Sequence, residues 1–343
     1  MDTETLLKNT SRSLYLSIQA LPTAIRPAFS IAYLLCRYAD TIADTYLLPA
    51  PTRIQWIKKF PQLIQTQNPQ EIALLAREIS GKSENIYEEE LIKNLPLCLQ
   101  KLNQLDSDLQ AIILEVVQAV CEGMKIDLSF FPTEQGATPK AFNTVADLEH
   151  YCRLMGGKPG LFWSKLIQKT TNIPIESTTF FNWGEKIGDA LQIVNILRDL
   201  PKDLRLSRCY FPLEDLQQVG LTPQDLLQAE NSLRFEPIKQ KWITWGLTRL
   251  ATAKAYFSQL PKSQPGERAA VAWPVLWAAD TLYKVYQSTD LLDPTKRLKI
   301  SKSTIYFTLA TTPLLWLNNT FFKNWLTHKI NRFSKLAIPE KDF

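Results

Sequence analysis

FSIAYLLCRYADTIAD, residues Phe29 to Asp44, decides the fold class. Most side chains in it are apolar, and the exceptions include a sparse set, Ser30, Tyr33, Arg37, Asp40 and Asp44. Those positions are three, four, three and four residues apart, which is one stripe down a helix and does not match the alternation of a strand. A surface helix carries a broad polar face. A narrow polar stripe on an apolar rod predicts a buried helix whose stripe faces an internal space.

Further along, GDALQIVNILRDL, Gly188 to Leu200, repeats the design. Its stripe is Gln192, Asn195 and Asp199, continued by Asp203, with Arg198 beside it. Carboxylates four residues apart sit about 5–6 Å from each other at Cβ. In apolar surroundings such a pair is costly unless cations neutralise it. Hard divalent cations suit oxygen ligands, and Mg²⁺ takes one or two carboxylates together with water and phosphate oxygens. Asp40 and Asp44, and Asp199 and Asp203, are therefore candidate metal ligands. Arg37, Arg198 and Arg208 can hold diphosphate oxygens through forked, charge-assisted hydrogen bonds. A single D-x-x-x-D is weak evidence, because a solvated acidic face gives the same pattern. Two of them on apolar helices with adjacent arginines are not.

Around these helices the composition is that of a globular, mainly helical chain: 45% hydrophobic, 21% charged, and only 11 glycines in 343 residues. Five scattered cysteines (Cys36, Cys98, Cys121, Cys152 and Cys209) read as buried free thiols, and two histidines exclude a His-rich zinc site. The polar, acidic start offers no secretory signal, which predicts a cytoplasmic protein.

The net charge of +5 resides in the tail. Pro294 to Pro339 holds eight Lys/Arg and no acid, which leaves 31 basic and 34 acidic residues elsewhere. That asymmetry argues against nucleic acid as a partner and for an anionic surface near the C-terminus. An uncharged run, Ser303 to Phe322, is long enough to cross a bilayer but is rich in Thr and Asn and interrupted by Pro313. The expected organisation is one all-α domain over residues 1–300 and a basic, partly hydrophobic tail over 301–343. The tail is expected to be peripheral to a membrane, anchored in it, or buried as a helix.

Three motifs resemble the squalene/phytoene synthase family: Ser11-Arg12-Ser13 followed by Tyr33, Arg37 and Asp40-Thr41-Ile42-Ala43-Asp44; Tyr151-Cys152 followed by Gly156, Gly157 and Gly160; and Gln192-x-x-Asn195-x-x-Arg198-Asp199-x-x-x-Asp203 followed by Arg208-x-Tyr210-x-Pro212. The likeness covers about residues 8–215. It implies an isoprenoid-synthase helical bundle with a central apolar cavity, in which Mg²⁺ on the four aspartates holds the diphosphates of two farnesyl diphosphate molecules. It also implies that Ser11, Arg12, Arg37, Gln192, Arg198, Arg208 and Tyr210 contact diphosphate. Tyr151 would handle the proton lost when a cyclopropyl ring closes, and Tyr33 would stabilise cationic charge. A helical scaffold relative that had lost catalysis would not need these aspartates.

Some positions depart from the family pattern. Ala43 stands where many relatives have Glu, Ser207 where Gly often precedes the arginine, and Lys158-Pro159 where apolar residues are usual. Pro159 predicts a kink. Thr10 to Pro22, the DT-x-x-D form of the first acidic motif and Lys299-Ile300-Ser301-Lys302 resemble the squalene-forming branch, which reduces its intermediate with NADPH. Asn195, Lys299 and Lys302 are then the expected cofactor contacts. The third motif is equally at home in phytoene and dehydrosqualene synthases, and Lys299 to Lys302 equally fits a basic membrane anchor.

Overall fold

A computed structural model describes residues 2–11, 14–45, 47–82, 86–131, 137–171, 173, 175–333 and 336. The described residues are overwhelmingly helical, and their one sheet is a pair of two-residue parallel strands. The chain gathers into two compact units. The first is Met1–Pro132 with Lys165–Thr170; the second is Thr133–Ser164 with Thr171–Phe343.

The first unit contains α1 (Thr3–Ser11), α2 (Leu14–Gln19), α3 (Arg26–Asp44), α4 (Ala50–Thr66), α5 (Pro69–Ile79), α6 (Ile86–Lys93), α7 (Leu95–Asn103) and α8 (Ser107–Phe130). Local chemistry sets the helix starts. Asn68 accepts from the Gln70 and Glu71 amides, and Asp106 from the Leu109 amide, satisfying donors that a helix start leaves open. Helix α3 packs on α8, α4 and α7 through Leu34, Leu35, Tyr38 and Ile42, each at most 1% exposed. Its far end is held by Arg53, a buried α4 residue whose Nη1 donates to the Ala43 carbonyl at 2.7 Å.

The second unit contains β1 (Lys140–Ala141), α9 (Val145–Cys152), a π-helical turn (Arg153–Gly157), α10 (Lys158–Thr170), α11 (Ser177–Arg205), β2 (Arg208–Cys209), α12 (Leu213–Gln218), α13 (Ser232–Ala251), α14 (Ala253–Gln259) and α15 (Pro265–Gln287). The last six residues of α10 belong to the first unit. Helix α11 packs against the π-helical turn, α13, α14, α15 and α9. Glycine lets its backbone come this close. A Cβ on Gly156 would strike the Gly188 carbonyl and lie 2.7 Å from Gln192 Cβ, and one on Gly160 would strike the Gly184 carbonyl. The disruption expected at Pro159 takes the form of a π-helical turn directly before α10, because proline lacks the N–H that an uninterrupted ladder needs.

The tail segment folds as α16 (Lys302–Ala310), α17 (Thr312–Leu317) and α18 (Asn319–Asn331). The uncharged run is thus divided at Thr311 and Asn318, and among the described residues no helix is long and apolar enough to cross a membrane. Three polar anchors fix these helices within the second unit, against α15. Trp273 Nε1 donates to Thr312 Oγ1 at 3.0 Å. The fully buried Arg268 donates to the Leu260 and Leu315 carbonyls and to Asn319 Oδ1. Asp280 receives Lys329 at 2.6 Å and Arg332 at 2.7 Å.

Asp280→Ala leaves the buried Lys329 ammonium without its carboxylate and is expected to cost about 3–5 kcal/mol of unfolding free energy. Asp280→Leu combined with Lys329→Met should recover most of that loss. Urea titrations of the three proteins check this, and a loss below about 1 kcal/mol would show that the pair does not hold α18.

Candidate functional site

The polar stripe read on α3 is also its least buried line: Ser30, Tyr33, Arg37 and Asp40 are half-buried and Asp44 is exposed, while most flanking positions, Phe29 and Cys36 excepted, are sealed. Arg37 is the hub. Its Nη1 pairs with Asp40, and its Nη2 lies 2.7 Å from Glu88 on α6, a partner the motifs did not indicate. Burial opposes charge on Arg37, but Asp40, Glu88, Tyr33 and Asp44 together outweigh it and raise its pKa. The guanidinium therefore stays charged beside the carboxylates. Tyr33 donates to the Thr10 carbonyl at 2.9 Å, tying α3 to α1. Ser11 is buried and donates to the Leu7 carbonyl of its own helix. Arg12 lies outside the described residues.

In the second unit, Gln192, Asn195, Arg198, Asp199 and Asp203 line the accessible side of α11, whereas Ile193, Val194, Ile196, Leu197 and Leu200 are buried. Arg198 grips its neighbour Asp199 with two hydrogen bonds, Nε to Oδ1 at 2.9 Å and Nη2 to Oδ2 at 2.6 Å. The hydrogen bond with Asp199 raises the Arg198 pKa against the opposing effect of burial.

Beyond α11 the chain turns sharply at Ser207, whose φ of 63° is left-handed. This explains why glycine is usual there, since an L side chain in that conformation costs roughly 1–2 kcal/mol. Ser207 Oγ partly compensates by donating to the Ala137 carbonyl at 2.9 Å. The turn delivers Arg208 into register with Lys140, and Tyr210 onto Tyr151. The two tyrosine rings stack at 5.0 Å, with Phe142 at 5.6 Å from Tyr151 and 5.8 Å from Tyr210. Tyr210, expected as a diphosphate contact, is thus part of an aromatic wall against Tyr151.

The same unit holds a polar cluster that the motifs did not reveal. Asp189, on the buried side of α11, faces Arg249 Nε at 3.6 Å. Arg249 stacks 3.5 Å over the Trp245 ring and approaches Glu149 at 3.8 Å. Trp245 Nε1 donates to that same Glu149. The cluster joins α9, two residues before Tyr151, to α11 and α13. Asp189 Oδ1 has no hydrogen-bond partner among the described residues. Burial pushes the Asp189 carboxyl up to about 6, against the pull of Arg249 and Arg153 and with a push from Glu185. The only cue in sequence was an aspartate following Gly188 on the apolar side.

Lys299 and Lys302 are exposed before and at the start of α16, which packs on α15 and α17. Among the described residues no three of His, Cys, Asp and Glu converge as a metal cage. An ion on either acidic helix would complete its shell with water and ligand oxygens, as Mg²⁺ commonly does. The cysteines are free, and burial pushes the Cys98 and Cys209 thiols up to about 12, so neither is a thiolate nucleophile at neutral pH.

Residues 7–304 match the family model of squalene/phytoene synthase, and the chain belongs to that family. It is 22% identical over 303 residues to a chloroplastic phytoene synthase 2 of Zea mays, a match spanning 85% of this chain and 64% of that protein. It is 24% identical over 294 residues to the squalene synthase of Schizosaccharomyces pombe, covering 86% and 61%. The chain thus spans less than two thirds of either relative. Its fold is similar to that of TcSQS in complex with the ligand BPH1237, with a TM-score of 0.76 at 19% identity over 96% of this chain and 95% of that one.

Asp189 binds a proton more tightly folded than unfolded, so stability falls as pH rises from about 4 to about 6. The loss is at most about 3 kcal/mol, at about 1.4 kcal/mol for each tenfold difference in proton affinity. Asp189→Asn should remove that slope. Denaturant unfolding of both proteins at pH 4.5 and 7.5 reads the difference, and identical slopes would contradict the assignment.

Proposed function

We propose that the protein is a squalene-forming prenyltransferase. In this reading it joins two farnesyl diphosphates head-to-head through a cyclopropyl diphosphate and reduces that intermediate with NADPH. The observation that carries the reading is the repeated device of an acidic pair with an adjacent ion-paired arginine on an otherwise buried helix, once on α3 and once on α11.

The donor set fits Mg²⁺: hard carboxylate oxygens of Asp40 and Asp44, and of Asp199 and Asp203, each pair accessible along one stripe. When bound, Mg²⁺ would neutralise charge on the departing pyrophosphate. Arg37 and Arg198 already sit beside these carboxylates as charged, forked donors, and with Arg208 they would orient diphosphate oxygens. Loss of pyrophosphate leaves an allylic cation, which the double bond of the second chain attacks. Ring closure releases a proton, and the Tyr151 hydroxyl is the group assigned to hold it. The Tyr151, Tyr210 and Phe142 rings would present π faces to cationic carbon and keep water from it.

The reductive half rests on the sequence motifs that single out Asn195, Lys299 and Lys302, all three exposed. A phytoene-type reaction without reduction is the second reading. It is favoured by the likeness to the maize phytoene synthase and uses the same aspartates, arginines and tyrosine.

Incubation with farnesyl diphosphate and Mg²⁺, with and without NADPH, distinguishes the two when hydrocarbons are read by mass spectrometry. Squalene formed only with NADPH supports the first reading. Phytoene from geranylgeranyl diphosphate, indifferent to NADPH, replaces it with the second. Asp199→Ala should lower pyrophosphate release at least 10³-fold, on the order of 4 kcal/mol of transition-state stabilisation, with an unchanged helical circular dichroism spectrum. Retained turnover would remove Asp199 from the metal site.

A further inference from the structure

The short sheet of the second unit sets two cations side by side. Lys140 of β1 pairs with Arg208 of β2 in parallel register, and Ala141 with Cys209. The Lys140 amide donates to the Ser207 carbonyl at 3.1 Å and the Phe142 amide to the Cys209 carbonyl at 3.3 Å, so the ladder runs on to Phe142 and Tyr210. Side chains along a strand alternate between its two faces. Lys140 and Phe142 therefore stand on one side together with Arg208 and Tyr210, while Ala141 and Cys209, both buried, point the other way. The cations lie one ladder step, about 7 Å, from the rings of Phe142 and Tyr210 that pack on Tyr151.

Like charges opposite each other on a sheet are destabilising. The local chain offers Lys140 no acid: residues 137–146 and 204–213 contain neither Asp nor Glu. Of the acids that border these segments, Asp147 accepts from the Thr144 amide and Glu214 from the Val145 amide. Asp203 belongs to the candidate metal pair. Lys140 is exposed and makes no ion pair among the described residues. The left-handed Ser207, one residue before Arg208, is the turn that produces this register. A forked guanidinium beside a point-charge ammonium suits phosphate oxygens, and a diphosphate is long enough to meet both. The neighbouring rings offer π faces to an unsaturated chain attached to it.

We propose that Lys140 joins Arg208 in binding the diphosphate of the prenyl substrate. The ammonium meets one phosphate as a point charge while the guanidinium takes oxygens of the other through its fork. The assignment deepens the proposed reaction and rests on it. Lys140 stands outside the three sequence motifs, and only the sheet register brings it to Arg208.

Titration calorimetry of the full chain with inorganic pyrophosphate and Mg²⁺ is the test. Lys140→Gln should weaken binding about tenfold, the loss of one charge-assisted contact, and Lys140→Arg should keep most of the affinity. Lys262→Gln, which removes an exposed lysine between α14 and α15, should bind as the unaltered protein does. With farnesyl diphosphate, Lys140→Gln should raise KM by about the same factor and leave kcat within about twofold, the mark of a binding contact. Without ligand, the melting temperature of Lys140→Gln should equal or exceed that of the unaltered protein, because the variant relieves a repulsion. A lower melting temperature with unchanged pyrophosphate affinity makes Lys140 structural and overturns the proposal. So does a loss of affinity shared equally by Lys262→Gln, or no binding of pyrophosphate by the unaltered protein. A variant that weakens NADPH binding and spares pyrophosphate overturns it as well, giving the lysine to a nucleotide phosphate. The two readings fail separately. Pyrophosphate held through Lys140 by a chain that releases none from farnesyl diphosphate removes the proposed reaction and keeps the diphosphate contact.

Discussion

Carboxylates four residues apart on a helix repel, and the repulsion grows as the helix is buried. Much of what is distinctive here makes that tolerable on α3 and again on α11. Beside each acidic pair the neighbouring lines are largely apolar and buried, Ile42 and Ala43 on α3 and Ile196, Leu197 and Leu200 on α11, which leaves the pair on the accessible line. Each stripe carries its own cation, Arg37 divided between Asp40 and Glu88, and Arg198 gripping Asp199. Arg53 then donates to the backbone one residue before Asp44, where the helix would otherwise fray. On each helix the acidic stripe is thus balanced, within its own unit, by an arginine that stays charged beside it.

The second unit meets a different demand. Its long helix α11 must carry the Gln192-to-Asp203 stripe and also lie against the segment that bears Tyr151. Side chains on both partners would hold them apart. Glycines at 156, 160, 184 and 188 let main chain meet main chain, and the π-helical turn lets α9 continue into α10 despite Pro159. Tyr151 is held by the Tyr210 and Phe142 rings, and the helix that carries it is tied to α13 through Glu149, whose carboxylate is held by Trp245 and Arg249.

The helical stripes were legible in sequence because their period is local: one turn of helix places Asp40 over Asp44 whatever the rest of the chain does. The left-handed turn was half legible, since Ser207 stood out as an unusual residue, but its bond to Ala137 depends on a segment seventy residues away. The Asp189, Glu149 and Arg249 cluster was not legible, because its members come from three helices and only packing makes them neighbours. The tail shows the same division. Its basicity was plain, but not that Lys329 and Arg332 answer an aspartate on α15, nor that the twenty-residue uncharged run is cut into pieces by Thr311 and Asn318.

Arg268 has a consequence for variation among related chains. A fully buried guanidinium is acceptable here because Leu315 and Asn319, far along the chain, supply acceptors for it. Position 268 is therefore coupled to positions 315–319, and position 280 to positions 329 and 332. A relative that ended before the equivalent of α17 would take from Arg268 its Leu315 and Asn319 acceptors and from Asp280 both of its cations. Such shortened relatives should carry small or apolar residues at both positions, so that an arginine at 268 together with an aspartate at 280 becomes a signature of chains that possess these last helices.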